Sequence, residues 1–212
     1  MKITKFEQSC LLVEMPAPIN RTALFDPGMM SEASLNVDSL EFLDDIVITH
    51  SHGDHMSPGL VKKLIDKFPN VHITGSRDVS QALAATTNNV TSSESDGIKF
   101  FSAPHESVEP LFPLPEQIGV HYLNLLTHPG DSHSFTETQQ VLALPVTAPW
   151  GSMVKAVNLG LQLKPRYILP IHDWHWSDAA REQSYQLMKQ VFADNGITFV
   201  ILKTGEPVVL EI

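Results

Sequence analysis

The segment IVITHSHGDH, residues 46–55, is the most informative part of the sequence. Its first four residues are all β-branched, as expected for a buried strand. The polar residues that follow include four side chains able to bind a metal ion: His50, His52, Asp54 and His55. The stretch therefore predicts a strand that carries a group of metal-ligating side chains at its carboxyl end.

A helix is predicted directly after this cluster. Ser57 offers an N-cap and Pro58 suits the first helical position. Apolar residues then recur at helical spacing, at Leu60, Val61, Leu64, Ile65 and Phe68. The cluster is consequently expected in a loop between a strand and a helix, a usual location for chemistry in layered α/β proteins.

The spacing inside the cluster favours convergence of its side chains. His50 and His52 are two residues apart, so in an extended chain their side chains point to the same side. Gly53 permits a sharp change of direction, which would bring Asp54 and His55 toward a second position. Imidazoles and a carboxylate suit zinc, and also iron or manganese. A polar loop with chance histidines would explain a lone histidine but not four ligand side chains in six positions.

Strands at both ends of the chain with helices between them predict an α/β fold. The predicted strands are residues 2–6, 10–14, 22–25, 46–49, 71–74, 98–102, 120–126, 140–144, 167–169, 198–202 and 207–211, and the predicted helices are 58–68, 78–85, 153–163 and 179–193. Residues 86–96 are predicted to form a surface loop, and residues 104–117, with four prolines, an irregular segment. This order suits two sheets packed face to face with helices outside.

Composition and charge narrow the class of protein. The chain has 212 residues, 42% of them hydrophobic and 18% charged, which fits one globular domain over residues 1–212. Its net charge of −10 argues against a broad nucleic-acid or anionic-membrane surface. The single cysteine, Cys10, and the lack of a secretory pattern in residues 1–13 predict a cytoplasmic protein. No apolar stretch has the length that spans a bilayer.

Five motifs along the chain together resemble those of one enzyme family. HSHGDH at residues 50–55 resembles the metal-binding signature of the metallo-β-lactamase superfamily. DPG at 26–28 is similar to its turn before that signature, and APH at 103–105 to the site of its third histidine. HPGDS at 128–132 resembles the element with its bridging aspartate, and PIH at 170–172 the site of its last histidine. The resemblance implies a four-layer αββα sandwich, and it is nearest to a small single-domain branch of lactonase and phospholipase-D-like hydrolases.

The resemblance also implies a ligand set for two divalent metal ions, with zinc favoured and manganese or iron as alternatives. One ion would be held by His50, His52 and His105, the other by Asp54, His55 and His172, and Asp131 would bridge them. Two cations about 3.5–4 Å apart can share a carboxylate and lower the pKa of a bound water toward neutrality.

The reaction expected of such a centre is hydrolysis of a small-molecule ester, lactone or phosphodiester by a metal-bound hydroxide. Asp54 is the predicted catalytic residue, because it can orient that hydroxide or take part in proton transfer. His133, Trp174 and His175 are predicted to contact the substrate, although aromatic residues such as Trp174 are equally often packing residues. Neither the substrate nor the oligomeric state is defined by the sequence.

Some assignments stay open at this point. His121, His128 and His133 compete with His105 for the role of third histidine, and His128 could instead support Asp131 from outside the ligand set. A nuclease acting on RNA or DNA would use the same centre, although the acidic charge counts against it. A regulatory protein could also bind the metal without turnover. A diiron redox role is disfavoured, because that branch usually has a glutamate where His52 stands and carries a flavin domain.

Overall fold

The computed structural model describes residues 1–212, which divide into two compact units: residues 1–93 with 202–212, and residues 94–201. The strands are β1 Lys2–Glu7, β2 Cys10–Met15, β3 Arg21–Phe25, β4 Asp45–Ile48, β5 His72–Gly75, β6 Val90–Thr91, β7 Ile98–Phe101, β8 Gly119–Tyr122, β9 Leu126–His128, β10 Val141–Pro145, β11 Tyr167–Ile171, β12 Thr198–Phe199 and β13 Pro207–Val209. The helices are α1 Pro58–Lys67, α2 Arg77–Ala82, α3 Met153–Leu163 and α4 Asp178–Ala193. Each unit therefore has one sheet and two helices.

The sheet of the first unit has seven strands in the order β13-β1-β2-β3-β4-β5-β6. The strands from β1 to β3 pair antiparallel, and those from β3 to β6 pair parallel. Every residue of β4 is buried, as its β-branched composition predicts. Because β3 and β4 run parallel, their carboxyl ends meet at one edge of the sheet, where the histidine loop begins.

Helix α1 fixes the far end of that loop. Its N-cap, Ser57, accepts a hydrogen bond from the backbone N–H of Leu60, and proline occupies the first helical position. Leu60 and Leu64 of α1 belong to the same buried core as Ile46 and Ile48 of β4. Burial of each such side chain contributes about 1.5–3 kcal/mol to folding. The loop therefore joins a buried strand to a packed helix, and both of its ends are fixed by the core.

The sheet of the second unit has six strands in the order β12-β11-β10-β9-β8-β7. The strands from β9 to β12 pair parallel, and β7, β8 and β9 pair antiparallel. Its core contains residues of α3 and α4, including Leu159, Met188 and Phe192. Gly160 lets the two helices approach, since a Cβ there would lie 2.7 Å from Cε1 of Phe192.

The prediction of one strand over residues 120–126 is wrong. The chain instead forms a hairpin of β8 and β9, and the backbone φ angles of Leu123 and Asn124 in its turn are 54° and 53°. Two consecutive positive φ values are typical of the type I′ turns that join antiparallel strands. The apolar pattern concealed the turn, because a leucine with positive φ is an uncommon turn residue. The loop predicted at residues 86–96 also contains the short strand β6.

Candidate metal centre

The first unit brings its four predicted ligands together in the loop after β4. The ring centroid of His50 lies 4.9 Å from that of His52 and 4.0 Å from that of His55. The backbone folds back at this point, because the N–H of His55 donates to the carbonyl of His52 at 3.0 Å. Nε2 of His55 lies 3.5 Å from Oδ2 of Asp54. Imidazole and carboxylate donors are therefore concentrated within one short loop.

A buried carboxylate, Asp26, orients two of these histidines. Its Oδ1 accepts the backbone N–H of Thr49 at 2.7 Å, and its Oδ2 accepts the Thr49 hydroxyl at 2.9 Å. Nδ1 of His55 donates to the same Oδ2 at 2.7 Å. Since the Thr49 hydroxyl donates to Asp26, its oxygen accepts from Nδ1 of His50 at 3.1 Å. With Nδ1 protonated in both rings, the lone pair that can bind a metal is on Nε2.

Gln8 and Gly28 also contact this loop. Gln8 is fully buried in the turn between β1 and β2 and has a φ of 55°, an uncommon value for a residue with a side chain. Its amide Nε2 donates to Oδ2 of Asp54 at 2.9 Å. A Cβ at Gly28 would lie 1.9 Å from the carbonyl oxygen of Asp54, so only glycine permits the loop to lie this close.

The second unit brings its three predicted ligands together around one carboxylate oxygen. Oδ2 of Asp131 lies 3.1 Å from Nε2 of His172 and 3.7 Å from Nε2 of His105. Zinc–ligand bonds of about 2.0–2.1 Å in a tetrahedron separate the ligand atoms by roughly 3.3 Å. Both distances are thus compatible with Asp131 and each of these histidines binding a common metal ion.

These histidines also have Nδ1 occupied by protein acceptors. Nδ1 of His172 donates to the carbonyl of Thr147 at 2.8 Å, and Nδ1 of His105 donates to the carbonyl of Glu106. His172 follows β11 directly and has a φ of 62°, a left-handed conformation that places strain at this position. Such strain is common where a side chain must be aimed at a functional centre.

Asp131 is held by its backbone as well as its side chain. Gly130 precedes it with a φ of 60°, a left-handed conformation that glycine adopts readily and that allows a tight turn here. The N–H of Asp131 donates to Oε1 of Gln117 at 2.8 Å, and the amide of Gln117 donates to the carbonyl of Ala103 at 2.7 Å. The irregular segment 104–117 is therefore fastened at both ends near the ligands His105 and Asp131.

The three histidines that compete with His105 have other contacts in the second unit. Nδ1 of His128 accepts the N–H of Gly130 at 3.3 Å, which supports the turn before Asp131. The ring of His121 stacks on Phe101 at 4.3 Å, and burial lowers its pKa. Nε2 of His133 donates to the carbonyl of Pro145 at 2.7 Å. His105 remains the predicted third histidine, with Nε2 at ligand spacing from Asp131.

The residues predicted to contact the substrate, His133, Trp174 and His175, differ in their surroundings. Trp174 is 49% exposed, and its ring meets that of His175 edge to face at 5.6 Å. Burial lowers the pKa of His133, against smaller opposing effects of the Pro145 carbonyl and the Glu106 charge. Nε2 of this ring donates to the carbonyl of Pro145, and Nδ1 is buried. Trp176, by contrast, packs against the apolar core.

Sequence reasoning missed several side chains that support the ligands. Asp173, next to His172, is buried, accepts the hydroxyl of Tyr185 and pairs with Nε of Arg181 at 3.1 Å. Trp150 donates its indole N–H to Oδ2 of Asp131 at 3.1 Å. The sequence identifies Asp26 only as part of a turn. No sequence signal connects these side chains to the ligands, because their contacts arise between distant segments.

The donor chemistry of both units fits a divalent metal. Each unit supplies imidazole Nε2 atoms together with a carboxylate, the ligands that zinc, iron and manganese accept. In four of the five predicted histidine ligands, Nδ1 is engaged by the protein, which fixes the ring and raises the basicity of Nε2. This arrangement is typical of histidines that bind metals.

A pair of α/β units with histidine and carboxylate donors at strand ends defines a metallohydrolase type of protein. The model of one family, described as the β-lactamase superfamily domain, matches residues 2–172, a range that includes all seven predicted ligands. The chain belongs to this family. The resemblance seen in the sequence is thereby confirmed.

Known relatives agree with this assignment. A protein from Mycobacterium tuberculosis is 28% identical over 185 residues, covering 81% of this chain and 84% of that protein. A metal-dependent hydrolase from Thermococcus onnurineus is 26% identical over 215 residues, covering 88% and 91%. Igni18, a metallo hydrolase from Ignicoccus hospitalis, has a similar structure with a TM-score of 0.72 at 19% identity, covering 100% and 98%.

These findings confirm two further predictions. The α/β fold of the metallo-β-lactamase type is confirmed by the two sheets, the four helices and the structural match. The class of enzyme, a metal-dependent hydrolase, is confirmed because the sequence relatives include named metal-dependent hydrolases. No helix in the structure is long and apolar enough to cross a membrane.

Proposed function

We propose that this chain hydrolyses a small ester, lactone or phosphodiester at a dinuclear metal site within one hydrolase domain, residues 1–212. The main support for the proposal is a hydrogen-bonding pattern shared by four histidines, His50, His55, His105 and His172. In each ring Nδ1 is bound to a protein group, which leaves Nε2 to act as the metal ligand.

The proposed ligand sets follow the family resemblance. One ion would be held by His50, His52 and His105, a second would be held by Asp54, His55 and His172, and Asp131 would be shared between them. Support comes from the family model, which spans all seven residues, and from the ligand spacing around Asp131 in the second unit. Zinc is the proposed metal, with manganese or iron as alternatives, because this ligand set accepts all three.

The protein residues have separate tasks in the proposed reaction. A divalent metal held by these residues would supply an activated water and polarise the substrate oxygen. Asp54, held by the amide of Gln8 at 2.9 Å, orients the attacking water and takes part in proton transfer. His133, Trp174 and His175 contact the substrate, with the exposed Trp174 providing an apolar surface.

Metal titration and an activity screen test this function. We expect metal-free protein to bind two zinc or manganese ions per chain in calorimetry, and the loaded protein to hydrolyse members of a panel of lactones, phosphodiesters and phosphorylated sugars. His52→Ala should lose metal and activity, whereas His72→Ala, a change at a partly exposed histidine of β5, should retain both. Wild-type protein that gains no stoichiometric metal would rule the proposal out.

The same screen separates the two alternatives. Single-stranded RNA and tRNA-like substrates belong in the panel, since cleavage of these alone would identify a nuclease. Two bound ions without turnover of any substrate would identify a regulatory metal-binding protein. The net charge of −10 favours the small-molecule substrate.

A further inference from the structure

Residues 146–151 form a loop that reaches two of the proposed ligands at once. The loop leaves β10 and is tied to the end of β11 by a hydrogen bond from the N–H of Val146 to the carbonyl of Ile171 at 3.0 Å. Within it, the carbonyl of Thr147 accepts Nδ1–H of His172 at 2.8 Å. Three residues later, the indole N–H of Trp150 donates to Oδ2 of Asp131 at 3.1 Å.

The ring of Trp150 is held in place by two imidazoles. Its centroid lies 5.4 Å from that of His172 and 5.1 Å from that of His133, both in tilted or edge-to-face contact. His133 is itself anchored, since its Nε2 donates to the carbonyl of Pro145 at 2.7 Å. A Cβ at Gly151 would lie 3.2 Å from Cε1 of His133, so the loop lies closely against this ring. The indole direction is thus set by packing before any metal binds.

The hydrogen bond from Trp150 to Asp131 matters because of the charges around this carboxylate. Oδ2 lies 3.1 Å from Nε2 of His172, and with Nδ1 protonated both facing atoms are acceptors, which repel unless a cation lies between them. A donor aimed at Oδ2 offsets part of that repulsion and restricts rotation of the carboxylate. Hydrogen bonds to a charged acceptor are stronger than neutral ones.

We propose that Trp150 is a positioning residue of the metal centre, which holds the Asp131 carboxylate in its metal-binding orientation through the indole N–H. This inference rests on the proposed function, because Asp131 is a ligand only within it. Trp150 touches neither the metal nor the reacting atoms; it acts through Asp131. The loop of residues 146–151 therefore orients two ligands. The carbonyl of Thr147 orients His172, and the side chain of Trp150 orients Asp131.

Trp150→Phe tests the proposal, because it removes the donor and retains an aromatic ring. We expect zinc affinity, measured by calorimetry on metal-free protein, to fall about 10–100-fold, the range typical of changes just outside the ligand set. Trp176→Phe, at a tryptophan that packs against the apolar core, is the matched control and should leave zinc affinity unchanged. The urea midpoint of the metal-free Trp150→Phe protein should stay close to that of the wild type, which separates positioning from folding.

A second measurement asks whether Trp150 acts through Asp131. In an Asp131→Ala background, which lacks the carboxylate, Trp150→Phe should cause no further loss of zinc affinity. An undiminished loss in that background would overturn the proposal, as would wild-type affinity in Trp150→Phe itself. Wild-type protein that binds no zinc would refute the proposed function as well, whereas normal wild-type binding with an unaffected Trp150→Phe variant would refute only the role of Trp150.

Discussion

At the scale of single residues, the ligands depend on buried partners that hold their second nitrogen. Asp26 has a φ of 44°, is fully buried and accepts three hydrogen bonds, from the N–H and hydroxyl of Thr49 and from His55. Through Thr49 it also fixes His50. One side chain outside the predicted ligand set thus determines the orientation of two proposed ligands.

Replacement of Asp26 by Asn should weaken metal binding. The amide offers one acceptor oxygen where the carboxylate offers two, so one donor of Thr49 or His55 loses its partner. We expect zinc affinity to fall about 10–100-fold in calorimetry. Asp66→Asn, a change at an exposed aspartate of α1, is the control and should bind zinc normally. Unchanged zinc affinity in the Asp26 variant would contradict the orienting role of this carboxylate.

His121 makes folding stability depend on pH. Burial lowers its pKa in the folded protein, against the opposing charge of Glu137. The unfolded chain therefore binds a proton at a higher pH than the folded chain does, so the stabilising effect is complete above the unfolded pKa and is lost as the pH falls through the folded pKa. We expect the urea midpoint of metal-free His121→Gln to fall less between pH 7 and pH 5 than that of the wild type. Equal decreases would show that His121 does not contribute.

At the scale of elements, two helical glycines have opposite requirements. A Cβ at Gly160 in α3 would lie 2.7 Å from Phe192 of α4, whereas a Cβ at Gly59 in α1 would meet only the hydroxyl of Ser57 at 3.8 Å. Close packing of α3 against α4 therefore requires glycine at position 160. Position 59 has room for a side chain.

Alanine at these two positions should therefore change stability in opposite directions. We expect Gly160→Ala to lower the free energy of unfolding by about 1–3 kcal/mol, because the core is overpacked. Gly59→Ala should raise it by up to about 1 kcal/mol, since alanine restricts the unfolded chain more than glycine does. Urea denaturation measures both, and a loss of similar size in the two variants would show that packing against Phe192 is not the cause.

At the scale of the whole molecule, metal binding should be coupled to folding. Zinc that binds only the folded protein stabilises it by about 2.7 kcal/mol at one hundred times its dissociation constant. We expect His50→Ala in the first unit and His172→Ala in the second each to remove most of the rise in unfolding temperature caused by zinc. Retention of a full rise in either variant would show that the replaced histidine is not needed for metal binding.

Features that depend on neighbouring residues could be predicted from the sequence. The β-branched run before His50 and the capped helix after it were both predicted, because strand and helix periodicity and capping are local properties. The family followed from motifs of the same local kind. The helix Met153–Leu163 was predicted with its observed bounds.

The side chains that support the ligands could not be predicted from the sequence, because tertiary contacts select them. Asp26 reaches Thr49 because β3 and β4 pair in parallel and end side by side, and Trp150 reaches Asp131 because its loop is tied to β11. The turn at Leu123 and Asn124 likewise follows from the pairing of β8 with β9. These contacts join residues that are distant in the chain, so strand pairing and packing set them, and no local pattern of residues carries that information.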